Sequence, residues 1–296
     1  MPSYKTHAIH GEIILPKILL KTDINVEDLK SYCMGPDALI LTDYKLFELQ
    51  HIKNTRDYFK TLIKLIKNNK LQDNSEVMAF LYGQIDHFIL DIIMHPLIFY
   101  MTDEMPKDHL MDPHGIVENL IDDYVVWKFD KNEKVYYHKK GISDKKLMKL
   151  INDAYKKVYH ANNISLKYSF GMTLMNIYDS LIRRDKLFLA KSVMKLINFG
   201  DISYHNNYKV ALPYLNLNHD EWFDPETGEK HYESFDNLWD KACEVALETI
   251  QDVNQYLYQD KKLRNPIINS DTSFNTGRPC NEGQTKRFVK KYIKKK

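Results

Sequence analysis

Two histidines and an aspartate recur at one-turn intervals in an otherwise apolar run: His87-Phe88-Ile89-Leu90-Asp91-Ile92-Ile93-Met94-His95-Pro96. At 3.6 residues per turn, positions i, i+4 and i+8 fall in one stripe of one helix. The apolar neighbours predict that this helix is buried on most sides. A buried stripe of two imidazoles and a carboxylate is costly unless something satisfies it, and metal ions do so. The rise per residue separates His87 from His95 by roughly 12 Å along the axis. Metal–nitrogen bonds are about 2.0–2.1 Å, so one ion cannot easily serve both. Two ions fit better, with Asp91 between them and able to bridge.

A second set follows. His114 and Glu118 stand at i, i+4, and Asp122 continues their stripe. An i, i+4 His/Glu pair can hold one zinc from a helical face. Further donors lie upstream: Asp37 in the turn Met34-Gly35-Pro36-Asp37, His51, and the pair His7 and His10. Each is weak alone, since a lone buried histidine is more often an ordinary core residue. That ordinary reading is kept for His109, His138, His160, His205, His219 and His231. The joint occurrence of the stripe and the His-x-x-x-Glu pair carries the metal site.

The elements needed to position these residues are mostly helices. With only 10 Gly and 10 Pro, breakers are sparse, which favours long helices over many short strands. Residues 5–20 read as a short helix limited by Pro16, and 54–67 carry apolar residues at helical spacing. Asn74 or Ser75 can cap a long helix to about Tyr100, which Pro96 should kink or stop. Asp112-Pro113 sets up a helix to about Trp127, with Asp as N-cap and Pro first. Residues 131–143 read as a connection. Residues 144–159 and 164–199 are again helical, Gly200 closing the second. Residues 201–233 are loop-rich, and Ser234 can cap a helix to about Tyr258. The expectation is an all-α, single multi-helix domain over 1–265, then an irregular extension, 266–296, with a basic tail.

Composition narrows the class. Hydrophobic residues at 44% and charged residues at 28% suit a globular protein and exclude disorder. Cys33, Cys243 and Cys280 are too few and too scattered for a disulfide framework or a thiolate metal motif. The N-terminus lacks a secretory pattern, and no run of 18 apolar residues is present, so the expected location is cytoplasmic. The net charge of +2 implies neither nucleic acid nor membrane. The charge is uneven, however: Lys286–Lys296 holds six Lys and one Arg with no acid. Such a run is usually a solvated tail; its sharper reading is weak contact with an anionic membrane or nucleic acid.

Taken together, Leu81-Tyr82-Gly83, His87-x-x-x-Asp91-x-x-x-His95-Pro96 and His114-x-x-x-Glu118-x-x-x-Asp122 resemble the zinc-dependent phospholipase C family. That family is related to single-strand-specific nucleases that share its zinc cluster. Thr6-His7, Gly35-Pro36-Asp37 and His51 resemble its early ligands. Leu215-Asn216-Leu217, Trp222-x-x-Pro225-x-x-Gly228, Ser234-Phe235 and Ser273-Phe274-x-Thr276-Gly277 are similar to bacterial members. The resemblance implies that Asp37, His51, His87 and Asp91 hold one zinc and that His95, His114 and Glu118 hold a second. It further implies that Asp91 bridges to a third, bound with help from His7, and that Asp37 also sits near the attacking water. Secreted members complete the third site with a processed N-terminal Trp. This chain begins Met1-Pro2-Ser3-Tyr4, which leaves His10 as a substitute or the third site incomplete.

The chemistry this predicts is hydrolysis of a phosphoester, with clustered dications neutralising an anionic diester and activating water. The substrate would be a phospholipid headgroup or a nucleotide. Two other readings compete: a metal-stabilised module that binds membrane or nucleic acid without turnover, and a helical protein with buried polar contacts and no metal. The sequence gives no oligomeric state.

Overall fold

The computed structural model of the chain describes residues 4–18, 22–103, 113–129, 141–183 and 208–282. The fold is all-α. In chain order the helices are α1 (Tyr4–Ile14), α2 (Val26–Tyr32), α3 (Tyr44–Ile52), α4 (Thr55–Asn68), α5 (Ser75–Thr102), α6 (Pro113–Lys128), α7 (Lys145–Tyr159), α8 (Ile164–Arg183), α9 (Phe235–Gln259) and α10 (Pro266–Asn269). Among the described residues the only sheet is a two-stranded hairpin, β1 (Trp222–Phe223) against β2 (Lys230–His231).

α5 is the axis of the fold. Its start is set by Asn74, whose side chain accepts from the Val77 N–H at 3.0 Å, so one orphan donor of the first turn is satisfied. From Val77 to Asp91 every residue is buried. α1, α2, α6 and α9 pack around it. By length and composition α5 could cross a membrane, yet 89% of its most apolar window is buried inside the protein. It is therefore a core helix.

Pro96 does not stop α5, which continues to Thr102. A proline removes the hydrogen bond to the carbonyl four residues back, here Ile92. Gly277 approaches that same carbonyl: a Cβ at Gly277 would lie 2.6 Å from the Ile92 oxygen. Of the segment 266–296, set apart in the sequence as an extension, Phe274 and Gly277 thus lie on the centre of α5, while α10 packs on α4. Ile268 and Phe274 are buried.

Three short helices escaped the sequence reading, among them the four residues of α10 in the expected irregular extension. α2 and α3 lie between the early breakers, where seven to nine residues give too little periodicity to stand out. α1 is shorter than 5–20, because the chain tightens into a 3-10 turn at Leu15–Lys17 around Pro16. α9 starts where expected, with a capping box between Ser234 and Asn237. Residues 131–140 of the expected connection 131–143, the expected helix beyond residue 183 with Gly200, and the basic run Lys286–Lys296 lie outside the described residues, as do His109, His138 and His205.

Candidate metal centre

Four elements converge on the middle of α5. α5 contributes His87, Asp91 and His95 from successive turns. α1 brings His7, α3 brings His51, α6 brings His114 and Glu118, and the 3-10 turn Gly35–Leu39 brings Asp37. Eight of the ten residues named from the sequence as candidate donors therefore meet in one place. They form three groups whose donor atoms lie within 4.8 Å of one another: His7, His87 and Asp91; Asp37, His51 and His87; His95, His114 and Glu118.

Asp91 sits at the centre. Its Oδ1 lies 3.2 Å from His7 Nε2 and 3.5 Å from His95 Nε2, and its Oδ2 lies 3.1 Å from His87 Nε2. Asp37 faces two imidazoles, with Oδ1 3.2 Å from His51 Nε2 and Oδ2 3.6 Å from His87 Nε2. Glu118 Oε1 is 2.9 Å from His114 Nε2 and 3.2 Å from His95 Nε2. Every one of these side chains is buried except that of His114, which is partly exposed.

The outward nitrogens explain why the inward ones converge. His51 Nδ1 donates to the Phe47 carbonyl at 2.8 Å, His87 Nδ1 to the Cys33 carbonyl at 3.0 Å, and His95 Nδ1 to the Phe274 carbonyl at 2.8 Å. A carbonyl can only accept, so Nδ1 carries the proton in all three. Such outer contacts fix tautomer and ring orientation in metal-binding histidines. In the neutral ring Nε2 is then an acceptor. It faces carboxylate oxygens, which are acceptors too.

Acceptor against acceptor at such distances is unfavourable unless a cation lies between them. Accordingly, both oxygens of Asp37, His87 Nε2 and Asp91 Oδ2 are buried with no hydrogen bond among the described residues. Either protons or metal ions can resolve this. With protons, the carboxylates drive the rings: burial alone would lower His87, but Asp91 and Asp37 hold it up at about 9. Burial likewise opposes the rise at His95, which Asp91 and Glu118 carry to about 9. Burial would raise Asp91, but His87 and His95 hold it well below the usual carboxylate range. With metal ions, the imidazole and carboxylate donors suit zinc. The residues present fit that metal.

Packing fixes the rings. His7 stacks on His87 with centroids 4.1 Å apart, and His114 stacks on Phe99 at 4.1 Å. Gly35 adopts φ +57°, and a Cβ there would fall 2.3 Å from the His87 ring. Only glycine meets both demands. A cavity of about 20 Å³ adjoins the cluster, lined by Thr6, His7, Asp91, His95 and Glu118 together with the apolar Leu90, Met94, Ile98, Ile121 and Phe235. That is space on the scale of a single water.

Two candidates from the sequence fall elsewhere. His10 is fully buried, but Nδ1 lies 2.6 Å from Asp86 Oδ1 and Nε2 lies 3.3 Å from Cys243 Sγ. With both nitrogens engaged there, it is no substitute ligand for the cluster. Asp122 is turned toward the start of α1 rather than toward the donors: it accepts from the Thr6 N–H at 2.8 Å. His160, His219 and His231 stand away from the centre and, contrary to the ordinary core reading, outside the core. His160 ends α7 with φ +56°, and His231 stacks on Trp222 in the hairpin. The orienting carbonyls of Phe47, Cys33 and Phe274 were not predicted, because a backbone acceptor leaves no signature in residue type.

No curated protein and no solved structure gives a significant match to the chain. A family model does match, that of zinc-dependent phospholipase C, over residues 6–164, more than half of the 296 residues. That span contains all eight converging side chains, and on it the chain belongs to the zinc-dependent phospholipase C family.

Proposed function

We propose that the protein is a zinc-dependent phosphodiesterase of phospholipase C type. The observation that carries this reading is Asp91, whose two oxygens face His7, His87 and His95, the last two presenting acceptor nitrogens to an acceptor carboxylate. Asp37, His51, His87 and Asp91 would hold one zinc, and His95, His114 and Glu118 a second. Asp91 and His7 would hold a third. Bound zinc would neutralise the anionic diester and bring the pKa of a water toward about 7.

The chain's own groups do the rest. Asp37 would also sit near the attacking water. His51, His87 and His95 keep their protons on Nδ1, so Nε2 stays available to the centre. The apolar lining of Leu90, Met94, Ile98, Ile121 and Phe235 would strengthen electrostatic contacts at the reacting group.

A panel of diesters tests this reading. Zinc-loaded protein should release phosphorylated headgroup from phospholipid, and chelation should abolish it. Preference for single-stranded nucleic acid would shift the assignment to a nuclease. Bound zinc with no turnover on any diester would leave a binding module.

A further inference from the structure

Lys5 and Thr6 lie in the first turn of α1, where backbone N–H groups have no partner within the helix. Asp122 of α6 supplies the partner. Its Oδ1 accepts from the Thr6 N–H and from the Thr6 hydroxyl, both at 2.8 Å, and its Oδ2 accepts from the Lys5 N–H at 3.3 Å. A carboxylate here also meets the positive end of the helix dipole. The arrangement is an N-cap delivered from another helix, and Asp122 is buried.

The next residue in the chain is His7, with Nε2 3.2 Å from Asp91. Beyond it, His10 is fixed to Asp86 of α5 at 2.6 Å. α1 is therefore tied on both sides of His7, to α6 through Asp122 and to α5 through Asp86. Those same helices carry His114 and Glu118, and His87, Asp91 and His95. His7 is the one donor that α1 contributes, so its place in the cluster depends on where α1 is held.

We infer that Asp122 is a positioning residue: it sets the start of α1 so that His7 reaches Asp91 and completes the third donor group. The inference rests on the metal reading above. It assigns Asp122, which continues the His114 and Glu118 stripe, to the tether rather than to the ligands.

The test compares zinc content and turnover in the full chain for Asp122→Ala, Asp122→Asn, His7→Ala and the double Asp122→Ala/His7→Ala variant. Asp122→Ala should lose the zinc equivalent that His7→Ala loses, and the double variant should lose no more, because the two act as one unit. Asp122→Asn keeps an oxygen for both Thr6 donors and should restore that equivalent. Three results would overturn the inference: full zinc in Asp122→Ala, additive losses in the double variant, or an Asp122→Asn protein as depleted as the alanine variant. The last would make the carboxylate a ligand in its own right. If Asp122→Ala does not fold, Thr6→Val removes the hydroxyl donor alone and should speed release of one zinc equivalent only; unchanged release would count against the tether. Should the wild type hold no zinc, the metal reading fails by itself. Amide exchange in α1 then decides the tether: Thr6 must exchange faster in the Asp122 variant, and equal protection would refute it.

Discussion

His7 Nε2 and Asp91 Oδ1 stand 3.2 Å apart, although one belongs to the first helix and the other to the fifth. His87 and His95 could be expected near Asp91 from their spacing on one helix. His7 could not, and its arrival turns a helical stripe into a three-sided cluster. Within the stripe Asp91 meets both of its helical partners, His87 and His95, as well as His7 from α1.

Asp91→Asn is therefore the most damaging conservative change at the site. It keeps the shape and removes the negative charge shared among His7, His87 and His95. The variant should release more than one zinc equivalent and lose turnover. Elemental analysis beside a rate measurement checks this, and full metal with a near-normal rate would contradict it.

His95→Ala should act more locally. His95 Nε2 lies 3.2 Å from Glu118, in the group completed by His114. We expect one zinc equivalent to go while the group of Asp37, His51 and His87 keeps its own. Complete loss of metal would show that the groups do not bind separately.

Zinc affinity should rise with pH. In the metal-free protein His87 and His95 hold protons up to about 9, well above the ordinary 6.5. Zinc must displace those protons, so binding is weakened at neutral pH and strengthens as pH approaches 9. The sign for metal-free stability is opposite. A raised histidine pKa contributes stability that is full below about 6.5 and is lost as pH rises through about 9. Titration calorimetry in buffers of different ionisation heat should detect proton release at pH 7 that is about halved at pH 9 and fades above it. A pH-independent affinity would refute this.

Gly35→Ala should destabilise the protein by about 1–3 kcal/mol through overpacking against the His87 ring. Thermal unfolding of the metal-free chain measures it. An unchanged midpoint would mean that the turn carrying Asp37 shifts freely.

The site was largely legible because its chemistry is written in residue types. His87, Asp91 and His95 announce themselves by helical spacing among apolar neighbours, and Gly35-Pro36-Asp37 announces a turn. Long helices with clear caps, such as Asn74 for α5 and Ser234 for α9, could be read for the same reason. What could not be read depends on tertiary approach. The Phe274 carbonyl orients His95 from a segment far along the chain. His10 looked like a ligand because His7 lies one turn away, yet Asp86 and Cys243 claim it. Asp122 shared a stripe with Glu118, yet its oxygens turn to α1. Sequence spacing fixes which residues share a face, not which neighbour meets that face.

Bound zinc is proposed to hold together the opposed acceptors around Asp91. Elemental analysis of the full chain, purified without chelator, tests this most directly. At least two tightly bound zinc ions per chain are expected. Less than one equivalent of any transition metal would contradict the account and leave a protonated, purely structural cluster in its place.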